Sequence, residues 1–445
     1  MFKRKAYDDL LRWKKQFNGT SAALIEGARR VGKSTIAEEF AKNEYKSYIK
    51  IDFSNTSKEI KSLFEDISDL DFFFRALQSL CSVELYKRDS VIIFDEVQLF
   101  PIARQAIKHL VADGRYDYIE TGSLISIKKN VKDILIPSEE YKIKVYPMDI
   151  EEFFWATNEL VYKNIVDSFK ANKIGEALNR KFMRDMRTYI AVGGMPQAVV
   201  AYTENKSFAE IDSIKKSIIE LYLNDFARID DSGRLAMIYK DIPAQLALGK
   251  TRFVISSATN RKKTKSDYEL ISQLLDSQTV LSCNAVTDPS FMLEHTKSID
   301  EFKFYLSDVG LFVSMLFNDS SNNDIYNRLL FDKIDANLGY LYENLVAQMI
   351  TASGHGLYYY TWGKENSTHK YEIDFLLSSK NKIIPLEIKS GQSLEHKSLD
   401  AFMDKYSNRI EKGYIFSKYD IREFGNVTNY PIYCLKELIN KYENK

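Results

Sequence analysis

A glycine-rich octapeptide near the N terminus constrains the fold of this chain more than any other feature. Residues 27–34 read Gly-Ala-Arg-Arg-Val-Gly-Lys-Ser and fit the pattern G-x-x-x-x-G-K-[S/T] in full. The apolar run AALIE precedes the octapeptide, and the helix-forming segment KSTIAEEFAK follows it. A loop placed in this way surrounds phosphate groups with backbone N–H groups and with the positive end of a helix dipole. The pattern therefore predicts an α/β fold with a phosphate-binding loop after its first strand.

The residue types in this loop indicate ATP and Mg²⁺ as ligands. We expect Lys33 to reach the β and γ phosphates, and we expect the Ser34 hydroxyl to bind Mg²⁺. Arg29 and Arg30 are either solvated or in contact with phosphate. The predicted nucleotide-binding residues are Gly27, Ala28, Arg29, Arg30, Val31, Gly32, Lys33, Ser34 and Thr35.

A second segment, residues 91–96, supplies the carboxylates that ATP hydrolysis needs. It reads Val-Ile-Ile-Phe-Asp-Glu, which is a buried β-branched strand ending in two acidic residues. Ligands of parallel sheets bind at this carboxyl edge. We therefore expect Asp95 to hold Mg²⁺ through water and Glu96 to orient or polarise the attacking water as a catalytic residue.

Residues 118–123 predict a third polar element at the same edge of the sheet. Thr121 and Ser123 end this strand, and either hydroxyl could sense the γ phosphate and so belong to the catalytic group with Lys33. The alternative for both is a simple helix cap. The sequence does not identify an arginine that acts in trans.

The order of apolar runs divides the chain into domains. Short apolar runs alternate with helical segments in the first third, helical periodicity then dominates to about Ile242, and strand-like runs return after Phe302. We predict an α/β multidomain protein with an ATPase domain at 1–155, a helical lid at 156–242, a winged-helix-like domain at 243–300 and a second α/β domain at 301–445. The strands expected in the first domain are 22–26, 47–53, 91–94, 118–121 and 142–146.

Composition limits the classes of protein that fit. Sixty-two basic and sixty-two acidic side chains cancel, so no global charge favours nucleic acid or an anionic membrane. The three cysteines match neither a disulfide framework nor a zinc site. No run of about eighteen apolar residues is present, and charges occupy the start of the chain. We expect a cytoplasmic protein without a membrane span.

A hairpin near the C terminus brings charged residues together. Pairing about the turn at 379–382 places Asp374 opposite Glu387 and Glu372 opposite Lys389, with all four side chains on one face. Carboxylates so close repel each other unless a cation lies between them. The alternative is that this face of the hairpin is exposed to solvent and stabilised only by weak ion pairs.

An acidic residue, a Glu-x-Lys segment and an upstream helical glutamate resemble the metal site of restriction-endonuclease-like nucleases. This resemblance implies metal ligation by Glu343, Asp374 and Glu387, and it adds Lys389 to the nuclease-like site. A degenerate member of this fold could keep the same residues without cleaving nucleic acid.

The motifs together resemble a large family of prokaryotic AAA-type ATP-binding proteins with a C-terminal restriction-endonuclease-like domain of unassigned function. Besides the two ATP-site motifs, the resemblance includes segments 145–153, 193–198 and 302–311. Residues 137–140, Pro-Ser-Glu-Glu, stand where the family pattern leads us to expect a glycine-containing turn. The family implies a helical or winged-helix middle.

Three functions fit these patterns. The first is an ATPase whose nucleotide state controls a nuclease-like domain that acts on or binds DNA. The second is a signalling ATPase of the STAND type, in which an inactive nuclease-like domain recognises a partner. The third, a helicase-like motor, lacks a helicase motif beyond the shared ATP site. ATP is the expected small-molecule partner, while DNA, a partner protein and a homo-oligomer stay open.

Overall fold

The computed structural model describes residues 1–122, 137–261, 264–317, 322–332, 339–364 and 369–443. The chain forms two compact units, Met1–Tyr146 with Asp276–Gln278, and Pro147–Leu275 with Thr279–Lys445. The finer division into four domains stays a prediction. None of the helices in the described ranges combines the length and apolarity that crossing a bilayer requires.

The first unit contains a parallel sheet of five strands in the order β2-β3-β4-β1-β5. Its strands are β1 Ala22–Glu26, β2 Ser47–Asp52, β3 Ser90–Asp95, β4 Asp117–Gly122 and β5 Glu140–Lys144. Each one overlaps a strand expected from the sequence, so the predicted parallel α/β architecture is confirmed here. The carboxyl ends of β1, β3 and β4 are neighbours at one edge, where the motif residues lie.

Five helices of the described residues complete the first unit: α1 Lys5–Phe17, α2 Lys33–Glu44, α3 Lys58–Leu63, α4 Leu70–Cys81 and α5 Pro101–Asp113. Aromatic rings fix α3 and α4 against the sheet. Phe94 of β3 contacts Phe64 with ring centroids 5.6 Å apart, and Phe64 contacts Phe73 at 5.2 Å, both in edge-to-face geometry. This packing anchors β3 next to its final residue, Asp95.

The second unit begins with helices, as the periodicity after Asp149 predicts. They are α6 Ile150–Thr157, α7 Glu159–Lys170, α8 Glu176–Val192, α9 Pro196–Thr203, α10 Phe208–Ile229, α11 Arg234–Ala247, α12 Ile255–Thr259 and α13 Lys265–Asp276. Asp149 and Glu152 form a capping box that starts α6.

The rest of the second unit mixes helices with two sheets. The helices are α14 Val309–Leu316, α15 Asn322–Leu330, α16 Gly339–Ala352, α17 Lys397–Lys405 and α18 Leu435–Glu443. The strands are β6 Val280–Val286, β7 Lys297–Leu306, β8 Leu357–Gly363, β9 Lys370–Ile373, β10 Phe375–Ser379, β11 Lys382–Lys389, β12 Gly413–Ser417, β13 Arg422–Phe424 and β14 Val427–Pro431. The sheet orders are β7-β6-β8-β9 and β10-β11-β12-β14-β13. Strands β6 and β7 pair with each other in the first of these sheets. The winged-helix-like assignment of 243–300 stays a prediction.

The C-terminal hairpin has the predicted register over part of its length. Phe375 pairs with Leu386 and Ser379 with Lys382, so the expected turn is confirmed. The expected pairing of Glu372 with Lys389 is wrong. The strand breaks at Asp374, and β9 pairs with β8, which places Glu372 opposite Thr361. Lys389 pairs with Ser417 of β12 instead.

Residues 147–153 meet segments 193–198 and 302–311 in the second unit. The N–H of Gly194 donates to Asp308 Oδ2 at 2.6 Å, and the N–H of Met148 donates to the Gly194 carbonyl at 2.7 Å. A Cβ on Gly194 would lie 2.0 Å from the Met148 carbonyl oxygen, so only glycine fits. These motif residues therefore have a packing role.

Candidate functional site

Two glycines shape the phosphate-binding loop for different reasons. Gly32 has φ +98° and precedes α2, a backbone conformation that glycine adopts without strain. A Cβ on Gly27 would lie 2.3 Å from the carbonyl oxygen of Val145, so the chain beyond β5 presses directly on the start of the loop. These two positions therefore constrain the loop at its start and at its junction with α2.

Lys33 begins α2 and places its ammonium group inside the loop. Its Nζ donates to the carbonyl oxygens of Gly27 at 3.0 Å and Ala28 at 2.9 Å. Burial lowers the pKa of Lys33 to about 8, although the charges of Glu96 and Asp95 oppose this shift. A cation within the loop suits anionic phosphate.

Asp95 connects four elements of the first unit. Its Oδ1 accepts hydrogen bonds from Ser34 Oγ at 2.6 Å and from Thr121 Oγ1. Its Oδ2 lies 3.2 Å from Nζ of Lys50 on β2. Adjacent hydroxyl and carboxylate oxygens are the ligands that Mg²⁺ prefers, so Ser34 and Asp95 fit that ion.

Lys50 was absent from the predicted site, and a lysine within the otherwise apolar core of β2 is the signal that could have revealed it.

Glu96 has a left-handed backbone with φ +55°, which is unusual for a residue with a side chain. Strain of this kind accumulates at functional sites. The N–H of Glu96 donates to Thr121 Oγ1 at 3.2 Å, and its carboxylate accepts a hydrogen bond from Gln98 Nε2. Thr121 thus links Asp95 to Glu96. Because Thr121 lies within β4, it does not cap a helix. Ser123 lies outside the described residues.

The other predicted loop residues differ in exposure. Ala28 and Val31 are buried, Arg30 and Thr35 are exposed, and Arg29 is half-buried. Arg30 also has a left-handed φ of +68°. The structure therefore brings Gly27, Lys33, Ser34, Asp95 and Glu96 into one locality of the first unit.

One residue that sequence reasoning missed also contacts the loop. Arg4 precedes α1, and its Nη1 donates to the Val31 carbonyl at 2.9 Å while its Nη2 donates to the Tyr146 carbonyl at 2.8 Å. Its separation of 27 and 142 residues from these acceptors hides it from any local pattern.

The second unit contains a separate cluster of charged side chains. Lys303 of β7 is 5% exposed, and its Nζ forms an ion pair with Glu372 and lies 3.7 Å from Glu343 Oε2. Tyr305 donates to the same Glu343 oxygen at 2.9 Å. Lys303 lies within segment 302–311, but the sequence pattern assigned it no role. Glu343, which was expected to bind metal, is held here by Lys303 and Tyr305.

Burial and mutual repulsion shift the titration of this cluster. The pKa of Asp374 is raised well above its usual value by burial and then by the charges of Glu343 and Glu372. Burial also raises the pKa of Glu372, although Lys303 opposes it. For Lys303, burial alone would lower the pKa, but the surrounding carboxylates outweigh it and raise the pKa above the ordinary lysine value.

Glu387 and Asp374 are the carboxylates that best suit a cation. Glu387 Oε1 pairs with Lys389 Nζ at 2.6 Å, while its buried Oε2 finds no hydrogen-bond donor among the described residues. Asp374 Oδ2 accepts from the N–H of Ile388 at 2.7 Å. Within the described ranges, no three or more His, Cys, Asp or Glu side chains are arranged to hold a metal. A divalent ion here would therefore depend on two protein carboxylates, one of which has an unsatisfied oxygen.

Family models match three parts of the chain. A model described as an AAA domain matches residues 20–154. Models described as domains of unknown function match residues 183–322 (DUF8612) and 338–435 (DUF4143). No curated protein matches the sequence.

Solved structures resemble the chain only weakly. PCH-2 from C. elegans is 12% identical with a TM-score of 0.22 over 39% of this chain and 49% of that one, so this chain spans about half of its length. The RuvB Holliday junction branch migration motor from Thermotoga maritima is 14% identical with a TM-score of 0.29, covering 63% and 89%. Cdc6p from Pyrobaculum aerophilum is 10% identical with a TM-score of 0.24, covering 74% and 96%. At such scores these similarities support no inference about activity or partner.

The domain match agrees with the geometry of the first unit. The matched range contains the loop, the Asp95-Glu96 strand and the parallel sheet. Residues 20–154 therefore match an AAA domain and contain a phosphate-binding loop at the carboxyl edge of a parallel sheet.

Proposed function

We propose that this chain binds ATP with Mg²⁺, hydrolyses it, and uses the nucleotide state to control its C-terminal half. The observation that carries the proposal is the 2.6 Å hydrogen bond from Ser34 Oγ to Asp95 Oδ1. It places the loop hydroxyl and the strand carboxylate side by side, next to Lys33 and Glu96. Thr121 keeps its expected role as a sensor of the γ phosphate within this proposal.

Each residue has a task that follows from its chemistry. Lys33 neutralises charge on the β and γ phosphates, and the loop N–H groups position them. Ser34 and Asp95 hold Mg²⁺, which offsets negative charge on the phosphate oxygens when bound. Glu96 orients a water and accepts its proton, while Gln98 fixes the carboxylate through one oxygen.

Binding of a fluorescent ATP analogue with and without Mg²⁺ tests the proposal. Wild type should bind more tightly with Mg²⁺, and Asp95→Asn should lose that difference. Equal affinity in both conditions for wild type would contradict the Mg²⁺ assignment. Asp71→Asn provides the control, since that carboxylate is 79% exposed and forms an ion pair with Arg115.

For the C-terminal half, we propose a nuclease-like domain that acts on or binds DNA under nucleotide control. The unsatisfied Glu387 oxygen beside Lys389 supports a cation there, held by Asp374 and Glu387. The contact of Lys303 with Glu343 and Glu372 favours the alternative of a catalytically inactive recognition domain.

Nicking assays separate these alternatives. Single-stranded, duplex and branched DNA are incubated with Mg²⁺ or Mn²⁺, with ATP and without it. Metal-dependent products that Asp374→Asn abolishes support cleavage. Their complete absence in both nucleotide states supports the signalling switch. A cytoplasmic location, a homo-oligomer and a partner protein stay proposals.

A further inference from the structure

Arg4 lies outside residues 20–154 but contacts the phosphate-binding loop. Arg4 is 4% exposed, and its two terminal nitrogens donate to the carbonyl oxygens of Val31 and Tyr146 at 2.9 and 2.8 Å. Val31 is the fifth residue of the octapeptide. The segment before the matched domain therefore reaches the middle of the loop.

The acceptor at Val31 matters because of peptide geometry. A peptide unit is planar and trans, so the carbonyl of Val31 and the N–H of Gly32 point in opposite directions. A donor that fixes the Val31 oxygen thereby fixes the direction of the Gly32 N–H. Amide groups in such loops are the donors that phosphate oxygens accept from.

The second acceptor ties the loop to the segment after β5. The N–H of Val145 donates to the Glu26 carbonyl at 2.7 Å, and Gly27 packs against the Val145 carbonyl without room for a Cβ. Residues 145 and 146 therefore contact the start of the loop directly and its middle through Arg4. A guanidinium can bridge two carbonyls in this way because its donors form a rigid fork.

We propose that Arg4 is a positioning residue for nucleotide binding: it holds the Val31–Gly32 peptide so that the Gly32 N–H faces the phosphates. This inference rests on the proposed ATP binding. Its consequence is that residues 1–19, before the matched domain, are needed for full nucleotide affinity.

The test uses the full chain with Arg4→Met, Arg4→Lys and Arg12→Met. Arg12 lies in the same N-terminal segment, is 71% exposed and pairs with Asp9, which makes it a matched control. Affinities for labelled ATP and ADP are measured with Mg²⁺ at a temperature where circular dichroism shows each variant fully folded. Arg4→Met should weaken binding at least about tenfold, because a buried carbonyl loses a charged donor. Arg4→Lys should fall between Arg4→Met and wild type, and Arg12→Met should match wild type.

A purely structural role for Arg4 gives a different result. In that case Arg4→Met melts at a lower temperature but, once folded, binds ATP and ADP with wild-type affinity, and this overturns the inference alone. Failure of wild type itself to bind ATP would overturn the proposed function and the inference with it.

Discussion

Ser34 Oγ and Asp95 Oδ1 lie 2.6 Å apart although the two residues are 61 positions apart in sequence. The contact joins the loop after β1 to the carboxyl end of β3, and Thr121 of β4 donates to the same Asp95 oxygen. Three neighbouring strands therefore deliver a hydroxyl, a carboxylate and a second hydroxyl to one place. Because Ser34 and Thr121 both contact Asp95 directly, single substitutions among these three side chains should change nucleotide binding.

Replacing Lys33 with alanine should abolish tight ATP binding. The substitution removes the cation inside the loop while leaving the backbone N–H groups in place. Equilibrium titration with a labelled ATP analogue measures the effect. Lys42→Ala is the matched control, since Lys42 lies on the same helix with 49% of its side chain exposed. Comparable affinity of the Lys33 and Lys42 variants would contradict the assignment.

ATP affinity should decrease at alkaline pH. The pKa of Lys33 is about 8 in the folded chain, below the ordinary value of 10.5. Between these two pH values the unfolded chain binds more protons than the folded chain, so the free energy of unfolding increases as the pH rises. If only the ammonium form binds ATP, the affinity should fall about tenfold from pH 7 to pH 9. Lys33→Arg, which stays charged, should lack this decrease. A decrease of the same size in Lys33→Arg would assign the titration to another group.

Divalent metal should stabilise the C-terminal cluster through Asp374. The raised pKa of Asp374 means that its ionised form is disfavoured in the fold, so stability falls as pH rises through that pKa unless a cation compensates. Thermal melts of Asp95→Asn chains exclude the ATP-site metal. In that background, Mg²⁺ or Mn²⁺ should raise the melting temperature, and adding Asp374→Asn should remove the gain while stabilising the metal-free chain. A gain that persists with Asp374→Asn would show that metal binds elsewhere.

Lys303 should be required for stability because of its carboxylate partners. Lys303→Met leaves Glu372 and Glu343 without a buried cation, which should lower the free energy of unfolding by about 3–5 kcal/mol. Glu372→Gln in the same chain should recover part of the loss, since one unpaired charge is then absent. Urea denaturation of the two single variants and the double variant measures this coupling. Additive losses would mean that Lys303 and Glu372 do not interact.

Local sequence patterns predicted the helices and strands around the site but did not predict contacts between residues distant in sequence. The strands around the loop were predictable because apolar runs and the glycine pattern are contiguous. Arg4, Lys50 and Lys303 were missed because their partners are distant in sequence and become neighbours only in the folded chain. The C-terminal hairpin shows most clearly how far side-chain alternation can predict strand pairing. Alternation gave the correct register from Phe375 onward, but it could not show that β9 leaves the hairpin for β8, which separates Glu372 from Lys389.

Phosphate release by wild type and Glu96→Gln, with ATP binding measured on the same samples, tests the central claim most directly. Glu96 follows Asp95 with a strained backbone and a carboxylate fixed by Gln98, so its loss should remove the group that activates water without removing a phosphate contact. We expect Glu96→Gln to bind ATP with Mg²⁺ as tightly as wild type and to release phosphate at least about 100-fold more slowly. Hydrolysis by Glu96→Gln at the wild-type rate, or no hydrolysis by wild type, would contradict the assignment of this site as an ATPase centre with Glu96 as its base.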